Sequence, residues 1–336
     1  MEHPAALAGP PVDWAALRRV LVVRPDNLGD VVMAGPALRA LHKAAPHARL
    51  DLLAAPAGAA VAPLLPHVGA VLTASVSWQQ LDPDAVLPDA DLALVRRVAG
   101  GRYDAAVVLT SFSQSPWPAA YLCRLAGVPV RVGTSKEFGG AGLTHWVPAP
   151  PDGIHQVDRM LYLLERVGVP PAGTDLRLDL PERARPSNEP YALLLPGASC
   201  PSRRYPPERF AEVARLLSEA GLRAVVAGSA REAALGATVT PDVPGLAALV
   251  AGSAVVVCNN SGGAHLASAL RRPVVVLFAG TEQVAQYAPR DTPAAVLTVP
   301  TPCAPCRQLR CPYALECLAI PPADVARAAL RLAGAG

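Results

Sequence analysis

Five short segments of this 336-residue chain combine residue types that can do chemistry. RPDNLGD (24–30) follows an apolar run and precedes a helical pattern, placing Asp30 at a helix start, where the dipole favours an anion by ~0.3–1 kcal/mol. Such a carboxylate can take a proton as a general base, or simply cap its helix. LPGASCPSRRYPPERF (195–210) sets Gly197, Ala198 and Ser199, small enough for backbone amides to approach an anion, beside Arg203 and Arg204. That loop suits a phosphate, or is a solvated basic turn. VVVCNNSGGAHLASAL (255–270) delivers Asn260, Ser261, Gly262 and Gly263 to the start of an apolar helix, with His265 on its first turn. Two strand-to-helix loops of this kind in one half of the chain point to a diphosphate; a Ser-capped helix with a structural histidine is the alternative. In VVAGSAREAAL (225–235), Glu232 stands just past a strand end, where a carboxylate suits ribose hydroxyls as well as an exposed first turn. Finally, Cys303, Cys306, Cys311 and Cys317 follow C-x2-C-x4-C-x5-C, a set that could hold a structural zinc ion or form sulfur bridges. The spacing matches no regular zinc-ribbon or ferredoxin pattern. RPDNLGD carries one glycine where a dinucleotide loop needs G-x-G-x-x-G, which disfavours a nicotinamide or flavin site.

The elements that must position these residues alternate, short Val/Leu/Ala runs with longer helical patterns, as parallel sheets covered by helices require. Strands are predicted near 20–24, 49–54, 70–73, 105–109 and 129–132, and then near 191–195, 223–227, 254–258 and 273–278. Helices are predicted near 30–45, 89–100, 114–126 and 154–168, and near 206–220, 230–236, 245–252 and 262–270. A Pro-rich, charged and aperiodic stretch centred on 172–190 reads as the connection between two domains. In open α/β sheets ligands bind beyond the carboxyl ends of the strands, where four of the five segments fall.

Composition bounds the function classes. With 51% apolar and 17% charged residues and a mean hydropathy of +0.28, the chain can bury a large core and is not intrinsically disordered. Thirty Lys and Arg against 27 Asp and Glu leave +3, too little for a nucleic-acid binder. Only Lys43 and Lys136 are lysines, so arginine abundance is compositional. The first twenty residues lack the basic start and apolar block of a secretory signal, and Pro56, Pro63 and Pro66 interrupt the charge-free stretch from Leu52 to Leu81. A cytoplasmic protein without a transmembrane segment, its cysteines mostly reduced, is the expectation.

In their order along nearly the whole chain, these motifs resemble the glycosyltransferase family 9 proteins, the ADP-heptose:lipopolysaccharide heptosyltransferase family. The resemblance rests on R-x-x-x-x-G-D with PALRAL, on HQVDRMLYLLERVG (155–168), on PGAS with RRYPPERF, on GSAREA, on NNSGGAHLASAL with RPVVVLF, and on the terminal CAPC, CP and CL run. It implies a GT-B fold: two Rossmann-like, doubly wound parallel-sheet domains facing a cleft. Residues 1–175 would be the acceptor side and 186–320 the nucleotide-sugar side, with a C-terminal helix in 321–336 packing back on the first domain. It further implies an inverting, metal-independent transfer of a sugar, heptose above all, from an ADP-sugar to a saccharide or glycolipid acceptor such as lipopolysaccharide core, with peripheral contact to the inner membrane face. Position by position, Asp30 takes the place of the catalytic aspartate and Arg203 that of a phosphate-binding cation, usually lysine. Ser199 falls on a phosphate-contacting hydroxyl and Glu232 on the ribose ligand. The donor pattern D-T-G-x-x-H becomes Asn260, Ser261, Gly262, Gly263, Ala264 and His265, with Asn260 where the family usually has aspartate. Acceptor contacts would come from loops 74–90 and 133–146. An inactive nucleotide-sugar-binding paralogue, or an epimerase or hydrolase on the same fold, is the alternative.

Overall fold

A parallel strand covered by helices on both faces must be apolar along its whole length, and the valine- and leucine-rich runs meet that demand. The computed structural model describes residues 7–80, 82, 85–180, 189–229, 232, 238–239 and 242–334. The chain divides into two compact units, Met1–Thr174 and Asp175–Gly336.

The first unit holds strands β1 (Leu7–Ala8), β2 (Arg19–Val23), β3 (Arg49–Ala54), β4 (Val71–Thr73), β5 (Ala105–Val108), β6 (Val130–Ser135) and β7 (His145–Pro148). Its helices are α1 (Leu28–Met33), α2 (Gly35–Ala44), α3 (Pro56–Ala59), α4 (Pro88–Gly100), α5 (Trp117–Leu125) and α6 (Gln156–Arg166). The sheet order is β1-β7-β6-β5-β2-β3-β4, parallel except for β1 against β7. On one face Leu21, Val23, Ala106 and Val108 pack against Leu94, Val98, Leu122 and Cys123 of α4 and α5.

In place of the single helix predicted over 30–45, the chain breaks at Ala34 into α1 and α2. Pro36 is the cause: it has no N–H to give the Val32 carbonyl, and its ring crowds that carbonyl. It is accommodated instead in the first turn of α2. The break leaves α1 as a short segment whose first turn carries Asp30. Gly58 of α3 lies so close to this segment that a Cβ there would sit 2.6 Å from the Asp26 carbonyl oxygen.

The second unit holds β8 (Tyr191–Leu195), β9 (Arg223–Gly228), β10 (Thr238–Val239), β11 (Val255–Asn259), β12 (Val274–Leu277) and β13 (Ala294–Leu297). Its helices are α7 (Pro207–Glu219), α8 (Val243–Gly252), α9 (Gly262–Ala269), α10 (Val284–Tyr287) and α11 (Pro322–Ala333). The order β10-β9-β8-β11-β12-β13, parallel throughout, is that of a doubly wound nucleotide-binding sheet. Of the helix predicted over 230–236 only Glu232 is among the described residues, and residues 181–188 of the predicted connection also lie outside them.

The C-terminal helix α11 lies in the second unit, where Val325, Ala326, Ala328 and Ala329 join Phe210, Val213 and Leu217 of α7 over β11 and β12. Its apolar stripe is spent on the sheet beneath it. Among the described residues no helix is long and apolar enough to cross a membrane.

All four tryptophans, Trp14, Trp78, Trp117 and Trp146, lie in the first unit, so their fluorescence reports on that unit. Phe210→Ala, at a ring 1% exposed, should destabilise the second unit by ~3–5 kcal/mol. The expected result is an earlier urea transition in far-UV circular dichroism, with the tryptophan transition left nearly in place.

Candidate functional site

In the first unit the strand order reverses between β2 and β5, and the loops leaving those two strands part there. Arg24, the first residue past β2, is fully buried in this crevice. Its Nη1 lies 3.2 Å from Asp26 Oδ2 and donates to Leu109 O at 3.2 Å; its Nη2 donates to Ser111 Oγ at 2.7 Å and to Asp30 Oδ1 at 3.1 Å. Gln114 locks the arrangement: its Oε1 accepts from Ser111 N at 2.7 Å, and its Nε2 donates to Asp26 Oδ1 at 2.5 Å. Ser111 Oγ also donates toward Asp30 Oδ1 at 3.4 Å.

The two carboxylates differ. Asp26 is buried, and that burial pushes its carboxyl above the usual range; the Asp30 charge adds to the rise, while Arg24 and Gln114 oppose it. Asp30 keeps a fifth of its side chain exposed, and its Oδ2 has no partner among the described residues. It makes no cap to its own helix; the backbone cap is Asn27. Sequence reasoning singled out Asp30 and missed its surroundings. Arg24 and Asp26 lie inside the quoted motif, but Ser111 and Gln114, some eighty residues away, carried no signal of their own.

In the second unit the reversal falls between β8 and β11. Asn259, at the end of β11, clamps the crevice: its Nδ2 donates to Pro196 O at 2.8 Å and its Oδ1 accepts from Tyr205 N at 3.0 Å. The loop between 196 and 205 is thereby held open at both ends. Arg204 braces it from within, its Nε and Nη2 both donating to Ala198 O at 3.1 and 3.0 Å. Ser199 stands exposed at its tip. Arg203 donates from Nε to Thr281 Oγ1 at 3.1 Å and from Nη2 to Glu282 Oε1 at 2.9 Å. Glu282 was not foreseen.

Asn260 turns its Oδ1 to accept from Ala279 N at 3.1 Å, tying the start of α9 to the loop after β12. Ser261 opens α9 without a side-chain cap, and with Ala264 N bonded to Ser261 O the amides of Gly262 and Gly263 stay available to an anion. A Cβ at Gly263 would meet Leu195 Cδ1 at 2.7 Å, so any larger residue there would require the leucine side chain to shift. His265 is buried behind this turn, its ring without a hydrogen-bond partner among the described residues, and burial pushes its pKa down to about 4. It is a neutral imidazole. Glu232 accepts from Ser229 N at 2.8 Å and Ser229 Oγ at 2.6 Å through Oε2, with Oε1 turned toward Gly197. Ser199, Arg203, Glu232, Asn260, Ser261, Gly262, Gly263 and His265 thus all lie at the carboxyl edge of one sheet.

The cysteines gather less closely. All seven are free thiols, with Cys303 exposed and Cys317 buried. Burial raises the Cys317 thiol, and the charges of Cys311, Cys306 and Cys303 raise it further, so the four share a neighbourhood. Among the described residues, however, no three His, Cys, Asp or Glu side chains are grouped to hold a metal ion, and the donor set does not fit the zinc expected there. The sulfur bridges considered as an alternative are absent as well.

Two of the buried titratable groups, Asp26 and His265, tilt stability in opposite directions. Asp26 binds its proton more tightly folded than unfolded, so its contribution is full below pH 3.8 and is lost as pH rises through the raised folded value. Asp26→Asn should flatten that fall in the tryptophan-detected urea midpoint. His265 is depressed, so its contribution is full above pH 6.5 and is lost as pH falls toward about 4. His265→Gln should remove an acid-side loss on the order of 3 kcal/mol from the second unit's transition.

Comparison with known proteins follows this geometry. The family model described as glycosyltransferase family 9 (heptosyltransferase) matches residues 92–315. Lipopolysaccharide heptosyltransferase 2 of Escherichia coli K12 is 26% identical over 296 residues, covering 77% of this chain and 82% of that protein. Among solved structures, a glycosyltransferase family 9 protein of Veillonella parvula superposes with a TM-score of 0.75 at 20% identity, over 98% of this chain and all of that one. The E. coli ADP-heptose lipopolysaccharide heptosyltransferase II superposes with a TM-score of 0.73 at 22% identity, over 94% and 98% of the two chains. The fold is accordingly GT-B-like. With the family model covering two thirds of its length, the chain belongs to glycosyltransferase family 9, the heptosyltransferases, and is a glycosyltransferase.

Proposed function

We propose that this enzyme transfers a sugar, heptose in the first instance, from an ADP-sugar to a hydroxyl of a cell-envelope saccharide such as lipopolysaccharide core, with inversion and without a metal ion. The donor is suggested by the ADP-heptose enzyme whose fold it shares, and the acceptor by the lipopolysaccharide heptosyltransferase it resembles in sequence. Such a role implies a cytoplasmic setting with peripheral contact to the inner membrane face.

The observation that carries the reading is Asp30 Oδ2, part of a side chain one-fifth exposed and without a partner among the described residues, while Arg24 and Ser111 hold the other oxygen of the same carboxylate. In a single in-line displacement the acceptor oxygen bonds to the anomeric carbon as the bond to the diphosphate breaks. The hydroxyl proton must leave during attack, and Asp30 Oδ2 takes it; such assistance is worth ~100- to 10,000-fold. Arg24 and Ser111 on the other oxygen fix the carboxylate's direction. The departing diphosphate gathers negative charge, which Arg203 and the amides of Gly262 and Gly263 counter, filling the role a metal ion has in other transferases. Ser199 would contact a phosphate, Glu232 Oε1 a ribose hydroxyl, and Asn260 and the neutral His265 the donor side of the α9 turn.

Asp30→Asn should abolish transfer in an ADP-release assay with donor and acceptor while leaving ADP affinity within about twofold; retained turnover would remove Asp30 from the mechanism. Arg203→Ala should weaken ADP and lower turnover together. Donor consumption without acceptor would indicate a hydrolase instead.

A further inference from the structure

The cysteine-bearing segment brings a cation to the donor loops. Cys306 N donates to Gly280 O at 2.9 Å and Arg307 N to Thr281 O at 3.1 Å. On the other side Ser202 Oγ donates to Gln308 O at 2.5 Å and Ser202 N to Leu309 O at 3.4 Å. Residues 306–309 are therefore strapped between the turn bearing Arg203 and the loop after β12. These bonds hold Arg307 at φ 54°, in the left-handed region that a β-carbon disfavours. From there its Nη1 lies 3.6 Å from Glu282 Oε2, while Arg203 Nη2 holds Oε1 of the same carboxylate at 2.9 Å. The carboxylate is the deeper group, 12% exposed against 31% for Arg307 and 25% for Arg203.

We propose that Arg307 is a second phosphate-binding cation of the donor site and that Glu282 is the internal anion a nucleoside diphosphate displaces. The inference deepens the donor assignment above and rests on it. Two guanidinium groups converge here on one carboxylate, and a diphosphate carries at least two negative charges on oxygens that arginine forks fit. Displacing Glu282 leaves Arg203 still anchored to Thr281 Oγ1, so the cation stays in place when its partner changes. The α9 turn is tied through Asn260 to Ala279, three residues from Glu282, which puts backbone donors and both cations on connected loops. A carboxylate on the spot keeps the pair ordered before the donor arrives and competes with the diphosphate that follows.

The test is calorimetric titration of the full chain with ADP, AMP and inorganic pyrophosphate, with thermal melts to confirm folding. Arg307→Ala should weaken ADP and pyrophosphate about tenfold, the loss of one charge-assisted contact, and AMP by less than about threefold. Arg307→Lys should fall between. Glu282→Gln, which keeps the shape and removes the charge, should tighten ADP and pyrophosphate severalfold, and the gain should vanish in Glu282→Gln/Arg307→Ala. Unchanged ADP affinity in Arg307→Ala, or weaker ADP binding in Glu282→Gln, would overturn the proposal and leave the donor assignment standing. Should the parent bind pyrophosphate but not ADP, the two-arginine grip survives and the ADP-sugar reading fails. Binding of neither ends both.

Discussion

At two places in the chain, between β2 and β5 and between β8 and β11, neighbouring parallel strands send their crossovers to opposite faces of the sheet. The loops leaving them cannot cover one another, and a crevice opens that nothing in the sheet can fill. Backbone groups exposed in such a gap need partners from side chains. In the first unit Arg24 bonds the Leu109 carbonyl from across the gap; in the second Asn259 bonds Pro196 and Tyr205. The polar residues at these positions are first of all the solution to a backbone problem. Their usefulness for binding follows, because groups held by the backbone do not need to be ordered by a ligand.

The charged groups gathered at the two crevices differ. Arg24 is one cation against two carboxylates, Asp26 and Asp30. Glu282 is one carboxylate against two guanidinium groups, Arg203 and Arg307. Burying the Arg24 guanidinium is costly unless its charge is met, which explains why two acids and a serine surround it. Burial raises the Asp26 carboxyl above its usual range, with Arg24 and Gln114 opposing the rise. The first crevice therefore holds an accessible carboxylate oxygen, the second two guanidinium groups on one acid. By contrast the buried Asp51 has both oxygens bonded, Oδ1 by Arg49 and Oδ2 by Arg19 and the Tyr103 hydroxyl, and marks a structural cluster.

Interior strands were legible in the sequence because both of their faces are covered, which forces runs such as VLVV and VVVC to be apolar throughout. Among the edge elements only β4 was legible; the two-residue strands β1 and β10 and the short β7 carry no such run, and β13, though apolar, is paired on one side alone. Pro36 signals the α1–α2 break, but the helical periodicity on either side of it masks that signal. In the site, single loops were legible and their partners were not. Asp30 advertises itself by its place at a helix start, whereas Gln114 acquires meaning only when β5 lies beside β2. The cysteine spacing read as a metal motif, and the residue that bears on the donor loops is the arginine between the thiols.

Asn260 illustrates how a substitution can alter chemistry while preserving architecture. The resemblance gives the family's usual residue there as aspartate, and an amide in its place removes a negative charge near the donor. The structural duty of the position, accepting the Ala279 amide, needs only an oxygen, and Asn supplies it as well as Asp would. That bond sets the loop carrying Thr281 and Glu282, and through them the direction of Arg203. What changes is the second atom: Nδ2 offers a hydrogen-bond donor where a carboxylate would offer an acceptor. A sugar hydroxyl can serve either partner by rotating its proton, while a phosphate oxygen can meet only the donor. The amide thus retains the loop geometry, adds no repulsion toward a diphosphate, and shifts the position's selectivity toward acceptor atoms on the ligand.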